Sequence, residues 1–208
     1  MGYTFTDNRA YKNYNLHQSN KNYPFVVEYL DRTIEVLNSA LDQYKRCTVV
    51  RFDLRFPSYF GDVDVKEYRT AFIKNLKKKY SKKYGGSFKH IIAIEKSKDR
   101  KGTNTSSKHF HVVLFLDANK HYHNSLGLLP THDRNGKGLW NVIYSSWQAS
   151  IKDNAVGLVH ICRSHRISRE DTEATNDCFT HISYLCKKRT KFFAKKGEHI
   201  EYFTRSHC

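Results

Sequence analysis

His109-Phe110-His111-Val112-Val113-Leu114-Phe115-Leu116 reads as a β-strand with two imidazoles at its entrance. Successive side chains on a strand point to opposite faces, so His109 and His111 share one face and Phe110 turns to the other. Two metal-capable nitrogens therefore stand side by side. Such a pair is either part of a metal site or a polar strand end whose imidazoles only hydrogen-bond. The neighbouring elements decide between the two.

Upstream, Thr48-Val49-Val50-Arg51-Phe52-Asp53-Leu54-Arg55-Phe56-Pro57 alternates cleanly. Val50, Phe52, Leu54 and Phe56 face one way, Arg51, Asp53 and Arg55 the other, and Pro57 ends the strand. Residues Phe88 to Lys96 form a second strand, and a polar loop from Ser97 to Lys108 joins it to the third at His109–Leu116. Val156 to Cys162 reads as a fourth. A helical stripe (Val26, Val27, Leu30, Ile34, Leu37, Leu41) runs from Pro24 to about Arg46. A lysine-laden helix spans about Val63 to Tyr84, stopped by Gly85-Gly86. A short helix near Leu139–Ile151 carries Trp140 and Trp147, and a last one runs from about Glu173 to Lys191. Residues 1–21 lack an apolar period and read as a loose arm; residues 118–138 are loop-like.

From the first long strand onward the order is strand, helix, strand, strand, helix, strand. It implies an α+β fold, an antiparallel central sheet with helices on one face, as in RRM- and ferredoxin-like domains. The chain is then a single domain at 47–208 with an N-terminal arm and helix at 1–46. One sheet face is left free, and its Arg51, Asp53 and Arg55 mark it as a working face.

At 208 residues the chain can bury a real core. A formal charge of +16 and a pI near 9.6 point to a polyanionic partner, nucleic acid first. No stretch approaches the ~20 apolar residues of a membrane span, and no signal-peptide segment follows Met1. The five cysteines are scattered, which argues against a disulfide framework and for a reducing, cytoplasmic setting. Cys178-x-x-His181 with Cys186 is a weak zinc pattern.

Glu95 ends one strand and His109 begins the next, so a hairpin makes them neighbours. If Glu95 faces His109 or His111, two imidazoles and a carboxylate converge in a site for a divalent ion. A one-residue slip sends Glu95 to the other face. Asp53 is the rival third ligand if the first strand lies beside the third. His121-Tyr122-His123, a second such triplet, has no strand behind it and reads as a decoy. On the last helix, Tyr184 and Lys187 share a face with His181 and Lys188. A nearby cation or metal would make the tyrosine oxygen a usable nucleophile, although an amphipathic helix with Tyr184 half-buried explains the same spacing.

Together these stretches resemble the HUH endonucleases, a superfamily of rolling-circle initiators, relaxases and some transposases. Within it the chain is most similar to the inovirus gene-two-like proteins, also known as the YagK/YfjJ type. The resemblance rests on Val50–Pro57, Lys108–Leu116, the Trp147 helix and Ile182–Lys187, in that order, over residues 48–191. It implies that residues 47–208 are the catalytic domain and that His109, His111 and Glu95 bind Mg or Mn. Tyr184 would attack a phosphodiester of single-stranded DNA, giving a 5′-phosphotyrosine and a free 3′-hydroxyl. Lys187 would hold the phosphate or help set the ionisation of the tyrosine.

Arg51, Arg55, Lys108 and Lys188 are the nucleic-acid-binding candidates, together with the loop 97–108, the lysine-rich helix and the tail from Lys187 to Lys196. With no P-loop in the sequence, unwinding falls to a host helicase or to an origin hairpin, and synthesis to a host polymerase. Two other readings stand beside nicking: a non-catalytic nucleic-acid-binding regulator and a transposase of the same superfamily.

Overall fold

A computed structural model of the chain describes residues 3–18, 23–61, 64–96, 105–121, 126–188 and 202–206. Short strands β1 (Phe5–Thr6), β2 (Ala10–Tyr11), β3 (Tyr14–Asn15) and β4 (Phe25–Val26) precede helix α1 (Val27–Tyr44). Then follow β5 (Arg46–Pro57), α2 (Val65–Tyr84), β6 (Lys89–Lys96), β7 (Thr105–Asp117), α3 (Gly138–Ile151), β8 (Val159–Ser168), α4 (Thr172–Ile182) and β9 (Phe203–Arg205).

The long strands form one antiparallel sheet in the order β8-β5-β7-β6-β9. Leaving β9 aside, the fourth, first, third and second long strands lie side by side, the arrangement of a split βαβ ferredoxin-like sheet. The α+β fold and the central antiparallel sheet are as expected, and α2 and α3 pack on one face. That face is lined by Val50, Phe52, Leu54 and Phe56 from β5, Ile92 and Ile94 from β6, and Phe110, Val112 and Leu114 from β7. Phe56, Phe110 and Trp147 meet edge-to-face there at 5.0–5.6 Å, a geometry worth about 0.5–1.5 kcal/mol per pair beyond area burial. The Trp147 indole N–H donates to the Arg55 carbonyl, so the helix also fixes the end of β5.

Helix α2 begins at Asp64, whose side chain accepts from the Lys66 amide, and ends at Gly85, whose φ of 67° suits the reversal. It buries only Val65, Phe72, Leu76 and Tyr80, leaving Lys74, Lys77, Lys78, Lys82 and Lys83 in solvent.

The other face is not free, which corrects the sequence expectation. Helices α1 and α4 cover its Cys47, Val49, Ile91, Ala93, Val113 and Phe115. The signal lay in the unbroken apolar runs Ile91–Ile94 and Val112–Leu116, since a strand buried on both sides does not alternate. The far end of this face, around Arg51, Asp53, Glu95, His109 and His111, is polar.

The N-terminal segment is likewise not loose where it is described. β2 and β3 form a hairpin, Leu16 is fully buried, and Asn15 exchanges hydrogen bonds with Asn176 and Thr180 of α4. The last helix ends at Ile182 rather than near Lys191. Its chain tightens into a 3-10 turn over Ser183–Cys186, and Lys187 then pairs with Phe25. The fourth long strand starts and ends later than expected.

His121 is a buried core residue, in keeping with its reading as a decoy; its ring nitrogen lies 2.8 Å from the Tyr80 hydroxyl. His123 falls outside the described residues. Burial, ahead of the Lys120 charge, pushes the His121 imidazole down to about 4, against an opposing pull from Asp117. Between pH 6.5 and 4 the unfolded chain therefore binds the extra proton. Stability is constant above about 6.5 and falls as the pH drops through that window, by on the order of 2–3 kcal/mol from this group. Urea unfolding at pH 7 and pH 4.5 reads this, and His121→Gln is expected to reduce the difference by this group's share, leaving that of the other buried histidines.

Candidate metal centre and its tyrosine

Register assembles the site. Glu95 pairs with His109 across β6–β7, and Asp53 pairs with His111 across β5–β7. All four side chains are buried at the polar end of the sheet. Glu95 Oε2 lies 3.1 Å from His111 Nε2 and 3.9 Å from His109 Nε2, and the two Nε2 atoms are 3.2 Å apart. Asp53 Oδ1 stands 2.5 Å from His111 Nδ1.

That last contact sets the two carboxylates apart. Asp53 accepts from Nδ1–H and so turns the Nε2 lone pair of His111 toward Glu95 and His109, as an outer carboxylate does for a metal-binding imidazole. Glu95, not Asp53, completes the triad with the two histidines. A carboxylate and imidazole lone pairs this close need a positive charge among them, supplied by a proton or a divalent cation. The donor set, two imidazoles and one carboxylate, fits the cation.

Burial favours neutral His111, but the hydrogen bonds and charges of Asp53 and Glu95 raise it above its ordinary value. Burial pushes Asp53 up, and the hydrogen bond and charge of His111, with Arg51 and His109, outweigh this and hold it low. Asp53→Asn replaces the orienting carboxylate with a neutral amide, a weaker acceptor that can also present its NH2 to the ring, while leaving all three triad donors. Calorimetric titration with Mn2+ is expected to read about 10–100-fold weaker binding.

Tyr184 reaches this cluster from the 3-10 turn. Its half-buried ring meets His111 edge-on at 5.4 Å and His17 at 5.3 Å. The Arg51 guanidinium and the Lys187 ammonium each lie 4.3 Å from its centroid. Both cations are themselves buried. Arg51 Nη1 donates to the His181 carbonyl, while its Nε is buried with no hydrogen-bond partner among the described residues. Burial, then Lys187 and Arg51, push His17 down to about 4; burial, then Arg51 and His165, push His181 to about 3. Both rings are thus neutral at pH 7, and the positive charge around Tyr184 comes from Arg51 and Lys187.

The family model for the YagK/YfjJ C-terminal domain matches residues 6–200, nearly the whole chain. The chain belongs to that family. No curated protein and no solved structure matches it.

In this YagK/YfjJ domain the remaining sequence candidates scatter. Arg55 pairs with His109 and is half-buried beside the site. Lys108 pairs with Lys96 at the outer end of the hairpin. Lys188 is exposed, its Nζ 4.1 Å from the Phe5 ring centroid. The lysine face of α2 belongs to the opposite side of the sheet, because that helix packs through Phe72 and Leu76 into the other core. Residues 97–104 of the basic loop and 189–196 of the tail lie outside the described residues.

Cys178 and Cys186 are buried core thiols, and His181 faces His165 at 3.1 Å, so the Cys178–His181 zinc pattern does not assemble among the described residues. His17 was missed because the arm carries no period to place it. The sequence marks Cys162 and His160, beside Asp53, only as strand residues. Burial and the Asp53 carboxylate push the Cys162 thiol up to about 12, against Arg51 and Arg55, so it is protonated at pH 7.

Among the described residues no helix is long and apolar enough to cross a membrane.

Proposed function

We propose that the chain is a metal-dependent single-strand DNA endonuclease of the HUH type, which nicks and rejoins DNA through Tyr184. The observation that carries the reading is the packing of the Tyr184 ring against His111, with Arg51 and Lys187 over it. A nucleophile, two cations and a metal-ligand set meet in one place. A purely binding regulator accounts for the charge of the chain but gives no use to that convergence.

In this reading the Tyr184 oxygen attacks the phosphorus of a scissile phosphodiester. The new O–P bond forms as the bond to the 3′ oxygen breaks. The phenolic proton passes to solvent, and the departing oxygen takes one up to become a 3′-hydroxyl. A 5′-phosphotyrosine remains, and a second 3′-hydroxyl reverses the step to rejoin strands. Lys187 and Arg51 neutralise the negative charge that grows on the phosphate. Glu95, His109 and His111 would hold Mg2+ or Mn2+, which would supply Lewis-acid polarisation of a phosphate oxygen. Such an enzyme would act in the cytoplasm to initiate rolling-circle-type replication of a phage, plasmid or other mobile element, with host helicase and polymerase following.

The polarity of the intermediate offers a test that needs no known origin. A randomised single-stranded DNA pool is incubated with the chain and Mn2+, then resolved in denaturant. A 3′-end label is expected to remain on the protein and a 5′-end label to be released. Binding without any denaturant-resistant adduct would favour the regulator, and joining of paired element ends the transposase.

A further inference from the structure

Asp53 has neighbours on both sides. β7 sets His111 opposite it, and β8 sets His160 opposite it on the other edge. The β5–β8 register shifts between Arg51 and Phe52. Ile161 pairs with Phe52 and Arg163 with Arg51, so Cys162 is the extra residue of a bulge. Bulges re-aim the side chains they carry. Here the Cys162 sulfur comes 3.6 Å from Asp53 Oδ1 and 3.8 Å from His160 Nδ1. One carboxylate oxygen, one imidazole nitrogen and one sulfur thus lie within 4.8 Å of one another. His160 is exposed and Cys162 half-buried, so the group opens to solvent, unlike the buried Glu95–His109–His111 triad.

We propose that Asp53, His160 and Cys162 form a second metal site, which takes a thiophilic divalent cation such as Zn2+. Donor chemistry separates it from the triad. Glu95, His109 and His111 offer only oxygen and nitrogen, whereas the second group adds sulfur, which selects a softer ion. Three protein donors leave one position of a tetrahedral Zn2+ open. Binding forms the metal–sulfur bond and releases the thiol proton to solvent, with no change of oxidation state. The thiolate and the Asp53 carboxylate then balance the two charges of the ion.

The shared carboxylate couples the two sites. Asp53 Oδ1 carries the His111 hydrogen bond, and a cation drawing Asp53 toward β8 loosens that hold. Zn2+ at the second site therefore weakens Mn2+ binding at the first.

Co2+ is the probe, because its thiolate complexes show a sulfur-to-metal charge-transfer band that nitrogen and oxygen ligands do not give. Titration of the full chain is expected to produce the band. Cys162→Ser abolishes it, His160→Ala weakens it, and His109→Ala retains it, since that histidine belongs to the other site. A second measurement needs no variant: Zn2+ at about ten times its Kd slows maleimide alkylation of Cys162 by about tenfold, read from the modified peptide. Absence of the band, a band that survives in Cys162→Ser, or alkylation indifferent to Zn2+ overturns the proposal. None of these readouts depends on DNA cleavage, so the second site stands or falls apart from the nicking reading.

Discussion

Tyr184→Phe is expected to abolish the protein–DNA adduct while the fold and Mn2+ binding survive. The substitution deletes one oxygen and keeps the ring. The phenylalanine still fits against His111 and His17 and under Arg51 and Lys187. Stability should change by no more than about 1.5 kcal/mol, the scale of a single hydrogen bond. Cleavage, by contrast, loses its attacking atom, and removing a nucleophile costs on the order of 10⁴-fold or more. Lys187→Ala is a graded companion: the nucleophile stays, one charge near the phosphate goes, and the rate should fall about 10²–10³-fold. Time courses on denaturing gels separate the two patterns.

The second large effect is thermal. Without an ion, the Glu95 and Asp53 carboxylates share a buried pocket with Arg51 and with His111, whose pKa their hydrogen bonds and charges raise. A divalent ion that binds only the folded chain stabilises it by about 2.7 kcal/mol at one hundred times its Kd. For a chain of this size each kcal/mol moves Tm by about 2–4 °C, so Mn2+ should raise it by about 5–10 °C. Glu95→Gln, His109→Ala and His111→Ala should each remove most of that shift while leaving unfolding cooperative. A wild-type Tm indifferent to Mn2+ would leave the triad a hydrogen-bonded cluster and nothing more.

Much of this site was legible in the sequence because strand geometry is rigid. Glu95 and His109 flank one hairpin, and the alternation that turns Phe110 into the core turns both histidines to the other face. The choice between Glu95 and Asp53 was not legible. It depends on which imidazole nitrogen each carboxylate meets, and only the packed strands set that. The covered second face was written in the apolar runs at 91–94 and 112–116, and reading those strands as one-sided lost it. Lys187 leaves the helix because it pairs with Phe25, a contact 162 residues distant that local propensity does not see. The bulge at Cys162 likewise arises from how β8 lies along β5. Tyr184 still reached the triad, since the turn that ends α4 carries it there.

The most direct test of a shared metal and tyrosine site is to map the adduct. The chain is incubated with single-stranded DNA and Mn2+, digested with nuclease and protease, and its peptides are weighed. A 5′-phosphonucleotide on Tyr184 is the expected result, absent when Mn2+ is chelated and absent in His111→Ala. The modification on any other of the fourteen tyrosines, or on Tyr184 in the absence of a divalent ion, would contradict the account.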